Sequence, residues 1–485
     1  MMKVSRWLAV FMVVAMAAGV FAPAALAEDP TPTPVPIPEG VKVAGMPEVL
    51  PTQEELKAAI PPSLMEMGQG KKLRIMFQGG GDSAPAVEMK DFLKENVGLE
   101  IEIDVIPPES LREKQLSVFT AGSSDYDLME LYPTWIGEYA EAGFIENLDP
   151  YYEKYAAEIN TEDFIAGAQV GFDKYQGSWY AVPYDGDVNI FYYRTDLWED
   201  PAEQAAFKEK YGYDLKYPET WLQVRDMAEF FTRPDEGLWG FGTLALRTWW
   251  AADYWANVYR PHIAGDFQNG MVNDQGEFEL DREAFIKAND LYMELMKFSP
   301  DGILNWGYPE SKEALGNGVV AMSMQWATGV FRDPRQASHW DKLGCGLMPG
   351  VEQADGSIKH KPALAVGKAL VVPTASENKD LAFLLGQFFA SKAMQIYETN
   401  TGSGVDPNRI SVFEDQRVKD VWGPLTSCTM ANLDLGVPDI KVPGAAAYYE
   451  ALIGELHSSW AGEQDSATAY DKVMKQWEIV REEQQ

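Results

Sequence analysis

Cysteine and histidine are scarce. The 485 residues hold two cysteines, Cys345 and Cys428, and four histidines, at 262, 339, 360 and 457. Two cysteines so far apart form neither a CxxC metal site nor a multi-bridge framework. An oxidising compartment permits a bond between them, and the sequence leaves their pairing open. The histidines nowhere pair at ligand spacing, which argues against a zinc site. The nucleotide and hydrolase signatures are missing too. Gly70-Lys71 lacks the upstream glycine and the following Ser or Thr of a P-loop, and there is no GxSxG or HExxH. Positive charge is in short supply, with 40 Lys and Arg against 74 Asp and Glu and a formal net charge of -34. Such a surface repels nucleic acid and anionic lipid. Beyond the N-terminus, no run approaches the ~20 apolar residues needed to span a bilayer.

The N-terminus itself has the pattern of an export signal. Lys3 and Arg6 precede a mostly apolar stretch, and Ala25-Leu26-Ala27 forms a small-x-small cleavage site ahead of Glu28-Asp29. Residues 1–27 are therefore expected to be removed, with cleavage after Ala27 and a periplasmic or extracellular destination. No cysteine lies near that site, so a lipid anchor is not expected. Residues 28–71 are read as a Pro-rich linker followed by a short helical stretch. The linker is extended at 28–41, and the helix over 52–67 opens at Thr52 and is broken by Pro61-Pro62. Removal of residues 1–27 leaves about 458 of the 485 residues, too many for a single compact core.

From Lys72 the pattern becomes α/β. Strands are expected at Leu73–Phe77, Glu100–Ile106 and Asp127–Leu131, with helices at Ala84–Asn96, Ser110–Thr120 and Trp135–Gly143. This alternation implies parallel βαβ units, whose loops after the strand C-termini form the ligand-facing edge. Further along, helices are expected at Thr220–Phe231, Asp281–Phe298, Ala445–His457 and Ala467–Arg481. Strands are expected at Val319–Met324 and Cys345–Met348. The apolar run Ala363–Val372 reads as one buried strand, and Ser376–Tyr397 as one helix capped by Ser376.

Residues 179–198 are the most informative stretch. A loop ending in Pro183 leads through Asp185, Asp187 and Asn189 into the β-forming run Ile190–Tyr193. Short polar side chains beside aromatic rings can hydrogen-bond hydroxyls and stack on an apolar ring face, which suits a sugar. The Asp185–Asn189 spacing superficially resembles a calcium loop, but Ile190 stands where the obligatory glycine belongs.

Several blocks, in order, resemble the extracellular solute-binding proteins of ABC importers, in particular the maltose-binding-protein-like sugar-binding group. They are Asp127–Tyr132 with Ala142-Gly143-Phe144-Ile145, Tyr180–Pro183 with Phe191–Leu197, Pro218-Glu-Thr-Trp221, Gly316–Met322, Gly367–Val372 and Asn378–Ala382. The resemblance covers roughly residues 72–460. It implies a two-lobed Venus-flytrap α/β fold, with residues 72–185 and 367–410 in the N-terminal lobe and 186–366 and 411–485 in the C-terminal lobe. It further implies a carbohydrate, expected to be an oligosaccharide, held in the inter-lobe cleft and passed to a membrane permease. The protein is expected to be a monomer without cofactor, metal or chemistry of its own. The candidate contacts are Asp82, Tyr132, Thr134, Trp135, Asp185, Asp187, Trp249, Trp250, Trp326, Gly367 and Tyr449, with Asp187 the preferred carboxylate. Only one of Trp249 and Trp250 is expected to face the cleft. Lys368 is either a ligand donor or a solvated side chain. Two alternatives remain: a secreted glycoside hydrolase built on a carboxylate pair, or the same fold binding a polyamine or peptide.

Overall fold

The computed structural model describes residues 49–264, 270–273, 275–327, 338–364 and 366–484. The expected signal segment, its cleavage site and the Pro-rich stretch 28–41 lie outside the described residues.

A five-stranded and a four-stranded sheet carry the architecture. In chain order their strands are β1 (Lys72–Gln78), β2 (Glu100–Ile106), β3 (Leu128–Leu131), β4 (Val182–Asp185), β5 (Asn189–Arg194), β6 (Trp239–Gly242), β7 (Val320–Trp326), β8 (Leu343–Gly346) and β9 (Lys368–Val371). The first sheet has the order β2-β1-β3-β9-β4. Its β1 runs parallel to β2 and β3, while β9 is antiparallel to both β3 and β4. The expected βαβ units are present, with Ala84–Val97 and Pro108–Thr120 as their crossover helices. Pro183 lies within β4 rather than ending a loop. That strand is at the sheet edge, where a residue without an N–H is tolerated.

The second sheet has the order β8-β5-β7-β6. Here β5 is antiparallel to β7 and β8, and β6 is parallel to β7. Each sheet has its own core. Leu73, Ile75 and Phe77 of β1 pack with Phe383, Phe388 and Phe389, whereas Phe191, Trp221, Met322 and Met324 belong to a separate cluster. The fold is therefore α/β with two lobes. The chain passes from the first sheet to the second between β4 and β5, and returns at β9. After helix Lys392–Thr401 it leaves the first core again, and the later helices Gln416–Trp422 and Leu425–Asp434 pack with Ile190 and Tyr192 of β5.

Local signals explain much of this. Thr52 and Thr220 each form a reciprocal capping box, with Glu55 and Gln223 respectively. Pro61-Pro62 splits the expected 52–67 helix into Gln53–Ala58 and Pro62–Met67. Two expectations require correction. The run Ala363–Val372 is not one strand. Val366 and Gly367 have φ of 76° and 40°, so the chain turns sharply between a short pairing at Ala363–Leu364 and β9. Ser376 does not cap one long helix: its hydroxyl donates to Asp127 Oδ1 at 2.7 Å and accepts from Asn378 N, and Asn378 takes the N-cap position two residues on. Two helices follow instead, Lys379–Phe389 and Lys392–Thr401, the second capped by Ser391.

The pairing that the sequence left open is resolved. Cys345 of β8 is bonded to Cys428 in helix Leu425–Asp434, with Cα atoms 6.1 Å apart and 83 residues of separation. Asn432 fastens the same seam, donating to Gly346 O and accepting from Met348 N. Closing so long a loop stabilises mainly by restricting the unfolded chain. Reduction, or the double change Cys345→Ser with Cys428→Ser, is expected to cost about 2–4 kcal/mol in a urea titration. Coincident transitions for the oxidised and reduced protein would refute this.

Candidate functional site

The ends of strands from both sheets meet around a cavity of about 120 Å³, lined by Gln78, Asp82, Tyr132, Asp187, Trp250, Tyr308, Trp326, Val366, Lys368 and Gly404. Gln78 ends β1 and Tyr132 follows β3. Trp326 ends β7, and Lys368 begins β9. Trp250 sits in the first turn of helix Trp249–Tyr259, and Tyr308 opens helix Tyr308–Gly316.

Lys368 organises the polar side. Its ammonium is buried and donates to Asp185 Oδ2 at 2.7 Å, with Asp82 Oδ2 at 3.2 Å. The other oxygen of Asp185 accepts the backbone N–H of Asp406 at 2.8 Å, and Asp406 O accepts from Gly186 N. Asp185 thus ties β4, β9 and the segment around Asp406 together. Gln78 links several more groups. Its N–H donates to Glu130 Oε2, its side-chain carbonyl accepts from the Tyr132 hydroxyl, and its amide lies 3.4 Å from Asp82 Oδ2.

Several carboxyls crowd around Lys368. Burial pushes Asp187 far above the usual carboxylate range, and repulsion from Asp185 and Asp406 adds to it, while Lys368 pulls the other way. Glu398 is also raised by burial and then by Asp185. Burial draws Lys368 down, but Asp185, Asp82, Asp187 and Glu130 outweigh it and hold it protonated. One oxygen each from Asp185, Asp187 and Asp406 lies within 4.8 Å of the others, a spacing compatible with a cation. Lys368 already supplies positive charge there, and both Asp185 oxygens are engaged.

The aromatic side is a chain of edge-on contacts. Trp326 meets Trp250, Tyr254 and Tyr308 with ring centroids 5.7, 5.4 and 5.4 Å away. Trp250 meets Trp249, and Trp249 meets Tyr132 across the divide between sheets. Such packing holds the rings without a ligand.

Of the residues expected at the site, Asp82, Tyr132, Asp187, Trp250 and Trp326 line the cavity together. Asp185 lies behind them, fully buried, as a partner of Lys368. The remaining five are placed elsewhere. Thr134 and Trp135 lie in the short turn Pro133–Trp135, where Trp135 packs on Tyr132 and Tyr139. Trp249 packs between Tyr132 and Tyr449, which leaves Trp250 as the member of the pair that lines the cavity. Tyr449 is buried against Asp253 and Asp439, and its hydroxyl accepts from Ile440 N. Gly367 does not line the cavity itself but sits between its lining residues Val366 and Lys368. A Cβ there would lie 2.3 Å from the Phe172 ring, so the position is kept small by packing. Sequence reasoning missed Gln78, Tyr308, Val366, Gly404 and Asp406. The Gly402-Ser403-Gly404 turn just before Asp406 was the available signal. Lys368, left between donor and solvated residue, is buried and ion-paired.

A larger cavity, about 600 Å³, opens between helices Gln53–Ala58 and Lys392–Thr401. Its charges are paired among themselves, Arg409 with Asp163 and Arg417 with Asp415 and Glu55, so it reads as a structural seam.

Comparison with known proteins bears on the whole chain. Residues 78–396 match the family "Bacterial extracellular solute-binding protein". A probable amino-acid ABC transporter periplasmic-binding protein of Sinorhizobium fredii is 24% identical over 359 residues, covering 73% of this chain and 76% of its own length. A solute-binding protein of Agrobacterium radiobacter in complex with ribitol superposes with a TM-score of 0.69 at 19% identity, over 85% of this chain and 99% of that one. Maltose-bound MalE3 of T. maritima gives 0.68 at 20% identity, over 84% and 100%.

The buried carboxyls give the fold a defined pH response. Burial raises Glu130 from its ordinary value of 4.5 to about 8, against the pull of Lys368. Between those values the folded state keeps a proton that the unfolded chain releases, so stability falls as pH rises. The melting temperature is expected to drop between about pH 5 and pH 8. Glu130→Gln, which keeps an acceptor for Gln78 N, should make that slope shallower. Identical slopes for the two proteins would remove the assignment.

Proposed function

The chain belongs to the bacterial extracellular solute-binding protein family, and from that premise we propose that it captures a carbohydrate or linear polyol between its two lobes for an ABC importer. The observation that carries this is the composition of the cavity. Asp82, Asp187, Gln78 and Lys368 offer acceptors and donors on one side, and Trp250, Trp326, Tyr132 and Tyr308 offer ring surface on the other. Trp250 Nε1 finds no acceptor among the described residues, and the Asp187 carboxyl lines the same cavity. A hydroxyl both donates and accepts, so a hydroxylated ligand suits both groups. Ribitol and maltose, bound by the two structural neighbours, are of this chemistry.

A volume of about 120 Å³ suits a single ring or a short polyol. The oligosaccharide expected from sequence needs a more open cleft than this one. The lobes are proposed to comprise residues 72–185 with 367–410 and 186–366 with 411–485, closing on the ligand and then docking on the membrane permease. The mature protein is proposed to start after Ala27, to act outside the cytoplasm as a monomer, and to return its ligand unchanged. A hydrolase would instead release new reducing ends from oligosaccharides, which a colorimetric assay detects.

A thermal-shift panel of monosaccharides, polyols and oligosaccharides is expected to identify a ligand that raises the melting temperature, because it binds only the native state. With that ligand, Trp326→Ala and Asp187→Ala should each weaken binding by about tenfold to a hundredfold in calorimetry, corresponding to about 1.5–3 kcal/mol. The far-UV circular dichroism of both variants should match the parent. Parental affinity in both would dismiss the site.

A further inference from the structure

We infer that Trp249 sets the length of the ligand: its indole plugs the gap between the lobes at one end of the cavity and confines the site to a single sugar ring or a short polyol. This rests on the carbohydrate reading and deepens it by naming the residue that limits size.

The first observation is position. The cavity is walled at this end by Tyr132, which follows β3 of the first sheet, and by Trp250, on helix Trp249–Tyr259 of the second lobe. Trp249 touches both. Its ring centroid lies 5.8 Å from that of Tyr132 and 5.9 Å from that of Trp250, each pair close to edge-on. One ring from the second lobe therefore fills the space between two lining residues that belong to opposite lobes. Successive residues of a helix point about 100° apart, so Trp250 faces the cavity while Trp249 faces across the divide.

The second observation is exposure. Tyr132 is buried, whereas Trp249 is half-buried. The indole thus has cavity-lining rings on one side and solvent on another. A side chain in that place separates the cavity from the outside, and its loss joins the two.

The third is that both lobes hold the plug in place. Trp249 also packs on Tyr449, with centroids 5.9 Å apart, and Trp135 packs on Tyr132 at 5.1 Å. Helix Ala445–Trp460, which carries Tyr449, meets the Pro133–Trp135 turn of the first lobe. Tyr132 accordingly belongs to the core of the second lobe, although its strand lies in the first sheet. At this end the lobes touch directly, through rings that do not line the cavity. Close-packed neighbours relax only partly when a large ring is removed, so the space vacated by Trp249→Ala stays open. A second sugar ring offers Tyr132 and Trp250 a flat apolar face in place of the indole.

The test is calorimetry on the chain from Glu28 onward, with glucose, mannose, galactose, ribitol and mannitol set against maltose, maltotriose, mannobiose and galactobiose. The parent is expected to bind its best short ligand at least about tenfold tighter than any of the longer ones, about 1.4 kcal/mol. Trp249→Ala should shift that ratio toward the longer ligands by at least about tenfold. Trp249→Phe, which keeps a ring in place should the alanine variant fold poorly, is expected to shift it in the same direction by less. A residue that only supported the fold would weaken every ligand in proportion and leave the ratio as it was. An unchanged ratio in both variants, or a parent that takes a longer ligand as tightly as its best short one, would overturn the role of Trp249 and keep the carbohydrate reading. Silence of every compound in parent and variants alike would overturn the carbohydrate reading itself, and this inference with it.

Discussion

One buried ammonium holds the middle of this protein together. Lys368 begins the strand that returns the chain to the first sheet, and its Nζ lies against Asp185, the last residue of the strand from which the chain departs. Asp185 in turn receives the backbone of Asp406, on the final passage out of the first core. The passages between lobes therefore converge on one ion pair. Removing one partner of such a pair leaves an uncompensated buried charge, at a cost of about 3–5 kcal/mol. The Lys368 position has little freedom to change, since the cavity's own carboxylates depend on the same charge.

The cleft's chemistry follows from that crowding. Where the passages meet, no sheet ladder is available, so polar side chains satisfy the backbone. Gly186 shows how tight the meeting is, since a Cβ there would lie 2.6 Å from Pro407 O. Asp187, one residue on, faces the cavity with Asp185 and Asp406 close behind it. The aromatic wall comes from the other sheet and from helices packed on it, so the two halves of the site are carried by separate bodies. A ligand that touches both favours their approach.

How much of this was legible depended on the kind of signal. Strand β2 was read at its true limits because Glu100–Ile106 alternates and is bounded by turn residues. The starts at Thr52 and Thr220 were legible because a capping box is a local code. The break inside Ala363–Val372 was not, because a continuous apolar run says nothing about where the backbone turns left-handed. Val366 adopts φ 76°, a conformation that a β-branched residue accepts only when its surroundings impose it. Ser376 misled because it turns the chain ahead of the helix, bridging Asp127 and Asn378 N, while Asn378 holds the N-cap. At the site, Asp82, Tyr132, Asp187, Trp250 and Trp326 were visible as strand-end or helix-start residues. Gln78, Tyr308 and Asp406 take their place from partners on other elements, Glu130, Trp326 and Asp185, which spacing along the chain does not encode. Tyr449 and Trp249 show the converse, since large aromatics at plausible positions were claimed by packing.

The bond between Cys345 and Cys428 closes a covalent ring, and that ring contains both Lys368 and Asp406. The chain enters the first sheet and leaves it again within the ring, so two of the passages between lobes are links of one closed loop. Pulled from its ends, the oxidised molecule would keep about 280 Å of contour hidden, at roughly 3.4 Å for each of the enclosed residues. Loss of every weak contact would still leave those two passages topologically joined, while the passage through Gly186 would be free to part.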